Sequence, residues 1–212
     1  MEKIVIVGGG SLLSNIVSYI LNMKNFEIIG YTDNKKNSSI SYIPYLGNDS
    51  VLQELFNQGV NNACVGVGSQ LNNTNVKQKI YTKLKEIGFN LPVIKGQNVI
   101  IHHGVMIGEG TIIRDAAIIQ PNCKIGNLVM IGDNVVVSHD TTIGNYSQVV
   151  TGGVLGRGVE IGDNVFVGFS TVISNDLIIT NDCVIGAKSL VNKSCLEKGK
   201  YFGQPSILIE RF

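Results

Sequence analysis

From Ile101 to Val191 every sixth residue is a branched aliphatic, sixteen positions without interruption. Two residues before each sits a small or medium side chain, from Val99, Val105 and Thr111 through Ala117 and Cys123 to Ser189. Glycine follows the aliphatic at 108, 126, 132, 144, 156, 162, 168 and 186. A period of six fits neither an isolated helix nor an antiparallel sheet, whose repeats are roughly 3.6 and 2 residues. It fits a coil in which each hexad is one short flat side and stacked turns bury a continuous core. Sixteen hexads make about five three-sided turns, with equivalent positions three hexads apart. The period breaks after Val191. Residues 193–200 read as a capping turn, followed by Tyr201-Phe202-Gly203-Gln204-Pro205 and a last apolar strand at 207–209. A cap is expected because an open coil end exposes core and unpaired strand edges.

Ahead of the coil the pattern changes. Lys3-Ile4-Val5-Ile6-Val7 is an apolar run ending in Gly8-Gly9-Gly10-Ser11, as in a buried strand feeding a glycine turn. Leu12, Ile16, Tyr19, Ile20 and Met23 then recur at helical spacing, and residues 27–32 form a second strand closed by Asp33-Asn34. Residues 34–41 are polar and read as a loop, and 49–58 as a helix capped by Asp49 or Ser50. Residues 63–68 form another buried strand, 75–87 another helix, and 91–94 a short strand leading to the coil. Strand alternating with helix implies a parallel sheet, about half the size of a full dinucleotide-binding domain. The fold class expected is therefore an α/β half-Rossmann-like domain over residues 1–94, and an all-β left-handed parallel β-helix with a C-terminal cap over 95–212.

Composition narrows the partners. A formal charge of +1, with no basic stripe, gives no grip on phosphate backbones, so no nucleic-acid partner is expected. No apolar stretch approaches a membrane span and no signal-type segment opens the chain, so no membrane partner and a cytoplasmic location are expected. Cys123 and Cys183 occupy the small inward position of their hexads and read as buried hydrophobes, without the paired spacing of a disulfide or zinc site.

The chain has three histidines, at 102, 103 and 139. His139, in Val137-Ser138-His139-Asp140, lies two residues past an inward aliphatic, hence at a corner or on the outer surface. A histidine beside an aspartate on a rigid scaffold suits a general base whose basicity the carboxylate raises. A solvated turn histidine has the same spacing. His103 shares the column of His139 but two turns away, too far for joint action, and reads as structural; no metal site is expected. The Gly8–Ser11 loop can bring backbone amides to a phosphate at a helix N-terminus, although Leu13 fills the last position of G-x-G-x-x-G. Asp33 stands where an acid can accept ribose or sugar hydroxyls.

Taken together, the small βαβ domain, the hexads, the Val-Val-Ser-His-Asp setting of His139 and the Phe202-Gly203-Gln204-Pro205 tail make the chain resemble the hexapeptide-repeat sugar acetyltransferases of PglD/NeuD type. The resemblance implies a homotrimer with acetyl-CoA lying between neighbouring coils, and a nucleotide-linked amino sugar held by the N-terminal domain. It implies that His139 takes a proton from the sugar amine, while Asp140 raises its basicity and holds its ring. By family position Gly10, Ser11, Leu12, Asp33, Asn34 and Gly68 line the nucleotide-sugar pocket, and Gln148, Phe169 and Ala187 contact acetyl-CoA. The chain departs from the family pattern at Gly10-Ser11-Leu12-Leu13, where members often carry Ser-Gly-His-Gly, and at Gln148, where some carry a second histidine. The activity implied is acetyl-CoA-dependent N-acetylation of a dTDP- or UDP-linked 4-amino-4,6-dideoxy sugar in surface polysaccharide or glycan precursor synthesis. Sialic-acid-type O-acetylation is the alternative within the family, and a non-catalytic solenoid used for assembly the alternative outside it.

Overall fold

A computed structural model of the chain describes residues 1–37, 41–68 and 76–211 and divides into two compact units, Met1–Lys95 and Gly96–Phe212. In the first unit β1 (Glu2–Val7) is the centre of a parallel three-stranded sheet, flanked by β2 (Phe26–Thr32) and β3 (Asn62–Val65). Residues 4–7 and 62–65 are all buried, which is why 4–7 and 63–65 read as continuously apolar rather than alternating. Helix α1 (Leu13–Met23) buries Leu13, Ile16, Val17, Tyr19 and Ile20 and ends at Lys24, whose φ of 58° is left-handed. Asp49–Val51 forms a single tight turn leading into α2 (Leu52–Asn57), and α3 spans Val76–Ile87. The cap of that turn is neither Asp49 nor Ser50: the Asn48 side chain accepts the Ser50 N–H at 2.9 Å. Asn75, expected to start α3, and residues 38–40 of the polar loop lie outside the described residues.

The second unit is a three-sided coil of two-residue strands joined by corners. One face stacks Ile112–Ile113, Met130–Ile131, Gln148–Val149, Phe166–Val167 and Val184–Ile185. The next runs from Ile100–Ile101 through Val136–Val137 to Leu190–Val191, and the third from Met106–Ile107 to Ile178–Ile179. All pairs are parallel and in register 18 residues apart, as in Met130 with Gln148 and Val136 with Val154. In each pair the second residue points inward. Ile113, Ile119, Ile131, Val137, Val149, Leu155, Val167 and Ile185 have no exposed surface. The small residues two before them close the core, Ala117, Cys123, Thr141, Ser147 and Thr171 being equally buried. All four cysteines are free and buried, and burial pushes the Cys64 thiol up to about 12.

The corners obey their own period. Every sixth residue from Asn98 to Lys188 has a positive φ, between 51° and 74°, and eleven of these sixteen are Asn, Asp or Gly. Those residue types adopt the left-handed conformation at least cost. Ala116, Leu128, Tyr146, Ser170 and Lys188 fill the rest and interrupt the signal. One corner is further tied by a side-chain ladder in which Asn127, Asn145, Asp163 and Asn181 each accept the backbone N–H of the residue one turn before, at 2.6–3.0 Å.

Past Val191 the coil does not stop but completes a shortened turn. Cys195 pairs with Ile179 and Tyr201 with Ile185, offsets of 16 rather than 18, and both are buried. Two residues are missing from one corner and neither inward side chain is a branched aliphatic, which hides the turn from the hexad count. Gly199–Gly203 then folds back antiparallel on Ser206–Arg211, which contains the expected last strand and closes the end of the stack.

Two substitutions separate core from corner. Ile119→Ala empties a fully buried position and should cost about 2–5 kcal/mol. Ala116→Gly relieves a left-handed alanine (φ 56°) and should stabilise by roughly 0.5–1 kcal/mol in denaturant titrations.

Candidate active site

The loops at the C-terminal ends of β1, β2 and β3 enclose a cleft of about 500 Å³. Gly10, Ser11 and Leu12 come from the first loop, Asp33 and Asn34 from the second and Gly68 from the third, so all six residues expected to hold the nucleotide sugar line one cavity. Thr32, Asp49, Val67, Val76 and Ile80 join them. Two glycines let the walls approach. A Cβ on Gly8, whose φ is 118°, would stand 3.0 Å from the Gly66 backbone, and one on Gly9 would lie 2.7 Å from the Tyr31 ring. Gly10 has open space where its Cβ would be, so its surface belongs to the cavity.

One amide of the first loop is already taken: Asp33 Oδ2 accepts the Gly9 N–H at 2.6 Å, and Asp33 Oδ1 accepts the Lys35 N–H at 3.3 Å. Asn37 donates to the Gly9 carbonyl and Tyr45 to the Asp33 carbonyl, fixing the two loops together.

In the coil His139 and Asp140 sit at the corner after Val136–Val137, both exposed. Asp140 is the left-handed corner residue, with φ 60°. Its Oδ2 lies 2.6 Å from His139 Nδ1, while Asn122, one turn before, donates to Oδ1 at 3.1 Å. The His139 hydrogen bond first, and the Asn122 bond second, hold the Asp140 carboxyl below its ordinary value. An ionised carboxylate only accepts, so Nδ1 carries the ring proton and Nε2 keeps a free lone pair. The backbone is fixed as well: the His139 N–H donates to Gln120 Oε1 at 3.2 Å and its carbonyl accepts the Gly158 N–H at 3.1 Å. His103 lies two turns before in the same column, separated by Pro121.

Phe169 and Ala187 form a column at a different corner, the one that follows the Gln148–Val149 face. Phe169 is 57% exposed. Neither side chain can accept a hydrogen bond, so the kind of ladder built by Asn127 and Asn145 has no counterpart here. Among the described residues no hydrogen bond uses the Thr151 or Phe169 N–H, and both remain available to a carbonyl from outside. Phe202 of the terminal hairpin packs where a Gly186 Cβ would be, and Gln204 donates to the Lys188 carbonyl at 2.5 Å, bringing the hairpin to the same corner. Within one chain, then, His139 and the residues expected to meet acetyl-CoA are not brought together: His139 and the Phe169–Ala187 corner lie at opposite edges of the Ile100-to-Leu190 face, and Gln148 lies on the neighbouring face between Met130 and Phe166.

Residues 3–84 match the family described as the PglD N-terminal domain. Whole-chain likenesses extend over the coil. The acetyltransferase domain of PglB from Neisseria gonorrhoeae FA1090 superposes with a TM-score of 0.89 at 18% identity, covering 99% of this chain and 100% of that one. GDP-perosamine N-acetyltransferase from Caulobacter crescentus, as a histidine-to-alanine variant in complex with CoA and GDP-perosamine, gives 0.92 at 22% identity, covering 99% and 97%. WeeI from Acinetobacter baumannii AYE gives 0.70 at 16%, covering 99% and 100%. At these identities the likeness establishes the fold, a βαβ unit followed by a left-handed parallel β-helix. No protein with a curated description matches the chain by sequence.

In the N-terminal unit the cleft also takes in Thr32, Asp49, Val67, Val76 and Ile80, to which no motif of the sequence points. Thr32 donates to Asp49 Oδ1 at 2.6 Å, a pairing across 17 residues that no local motif announces. Thr32 and Val67 do carry a sequence signal, since each adjoins a strand end beside Asp33 or Gly68.

The Asp140 geometry fixes a pH effect. Because folding lowers this carboxyl, ionised Asp140 favours the folded chain above the range of an unfolded carboxyl, and the contribution vanishes as pH falls through the lower folded value. A carbon-13 NMR titration should place its midpoint below that of an ordinary aspartate. His139→Ala should raise it more than Asn122→Ala, and equal midpoints in all three proteins would contradict the geometry.

Proposed function

We propose that the protein is an acetyl-CoA-dependent N-acetyltransferase acting on the amino group of a dTDP- or UDP-linked 4-amino-4,6-dideoxy sugar, in the making of a surface polysaccharide or glycan precursor. The observation that carries this reading is the His139–Asp140 pair, 2.6 Å apart on an exposed corner with Nε2 uncommitted. The fold is that of proteins crystallised with acetyl coenzyme A, or with CoA and GDP-perosamine.

The amine nitrogen attacks the thioester carbonyl while His139 Nε2 takes its proton, the imidazolium being stabilised by Asp140. The Thr151 and Phe169 N–H groups suit the carbonyls of the co-substrate, and one of them can meet the oxyanion of the tetrahedral intermediate. When the C–S bond breaks, the proton passes from the imidazolium to the leaving thiolate. No acyl-enzyme is needed.

Because His139 and the Phe169–Ala187 edge stand at opposite corners, one complete site draws on two copies of the chain. The face between them supports this: its outward column is Ile100, Ile118, Val136, Val154, Val172 and Leu190, aliphatic on every turn. An exposed aliphatic column of this length suits burial against another copy. A homotrimer with co-substrate between coils satisfies both observations. The cytoplasm supplies both activated substrates; among the described residues no helix is long and apolar enough to cross a membrane.

Acetyl-CoA supplied with dTDP- or UDP-linked amino sugars, and separately with sialic acids, tests the proposal by thiol release. Amino-sugar-dependent thiol is expected, and His139→Asn should lower kcat by about 10²–10⁴. Release with sialic acids alone would make the reaction O-acetylation. No thiol with any sugar would leave the coil as a non-catalytic scaffold, and full activity in His139→Asn would overturn His139 as the base.

A further inference from the structure

Among the described residues the cleft of the N-terminal unit is lined by two carboxylates, Asp33 and Asp49, and by no lysine or arginine. A carboxylate there can accept from groups that donate. Asp33 is committed to the Gly9 and Lys35 amides and serves the loops. Asp49 is not. Its Oδ1 accepts from Thr32, which is fully buried, and its backbone carbonyl accepts from Lys83 Nζ at 2.7 Å, so its position is set from two sides. Among the described residues Asp49 Oδ2 has no partner, and Asp49 lines the cleft.

We propose that Asp49 reads the nucleobase, favouring bases that present a ring N–H to it over bases that present a lone pair. This rests on the reading of the cleft as a nucleotide site. Uracil and thymine carry an imide N–H, and guanine carries a ring N–H beside an amino group. Cytosine and adenine place a ring lone pair at the equivalent position of the same edge. An ionised carboxylate accepts but cannot donate, so it takes the ring N–H of the first set and meets a ring lone pair in the second, whose exocyclic amino group alone can donate to it. The remaining lining suits a planar ring: Val7, Leu12, Val67, Val76 and Ile80 offer apolar surface for its faces, and 500 Å³ is in the range of small-ligand sites. Asp49 thereby narrows the donor nucleotide by chemical class, disfavouring cytidine-linked sugars against uridine-, thymidine- and guanosine-linked ones.

The test is calorimetric titration of the full chain with UDP, dTDP, GDP, CDP and ADP, which share the diphosphate and differ in the base. UDP, dTDP or GDP should bind about tenfold or more tightly than CDP and ADP, the discrimination expected for one well-placed base-edge contact. Asp49→Asn keeps the shape and an acceptor for Thr32 but can turn an amino group toward a ring lone pair, so the UDP-to-CDP preference should collapse by about the same factor. An unchanged preference in the variant, an equal loss for all five nucleotides (a ribose contact), or no binding of any nucleotide would overturn the proposal. Should the variant fail to fold, wild-type protein binding CDP as tightly as UDP and GDP overturns it. Base preference that depends on Asp49 in a chain releasing no thiol would sink the acetyl-transfer reading and leave this one standing.

Discussion

The vertical register of the coil is the constraint on which everything else in the second unit depends. Each inward aliphatic lies above the one 18 residues earlier, and each strand N–H finds a carbonyl on the next turn, as Met130 does with Ser147 and Gly132 with Val149. A slip of one residue would turn the whole inward set outward and open the core. The three flat sides are therefore chemically monotonous, while the corners need only one residue able to hold a left-handed conformation. Chemistry collects where the packing demands least. One corner spends its freedom on the Asn127–Asn181 ladder, another carries His139 and Asp140, and the third leaves the Thr151 and Phe169 amides open.

Rigid stacking also fixes the orientation of a surface histidine. An exposed imidazole on a mobile loop spreads over many orientations, whereas His139 is held at its N–H by Gln120, at its carbonyl by Gly158 and at its ring by Asp140. Asn122, one turn below, holds Asp140 in turn. The N-terminal unit uses the same division of labour: a buried parallel sheet fixes three strand ends, and the loops leaving them form the cleft, where ligands of such sheets bind.

Much of this was legible before any coordinates, for physical reasons that differ by element. The inward hexad position tolerates little but a branched aliphatic, so the coil announces itself. The corner period from Asn98 to Lys188 is as strict in conformation but looser in residue type, since Leu128 and Tyr146 accept positive φ, and it was overlooked. The shortened last turn was invisible because Cys195 and Tyr201 replace aliphatics and the offset changes. In the cleft the six residues expected from strand ends come together, whereas Asp49 reaches it through the Thr32 contact, which only the fold creates. The glycine loop carries a contact that no local motif announces: its Gly9 amide is taken by Asp33, 24 positions away.

The claim that one site is assembled from the His139 corner of one copy and the Phe169–Ala187 corner of another is tested most directly by mixing two crippled chains. His139→Ala removes the base, and Ala187→Trp blocks the opposite edge; each alone should be nearly inactive. Co-expressed and assembled together, they should regain thiol-releasing activity, because some interfaces then pair two intact corners. Mixed assemblies as inactive as either parent would contradict the account.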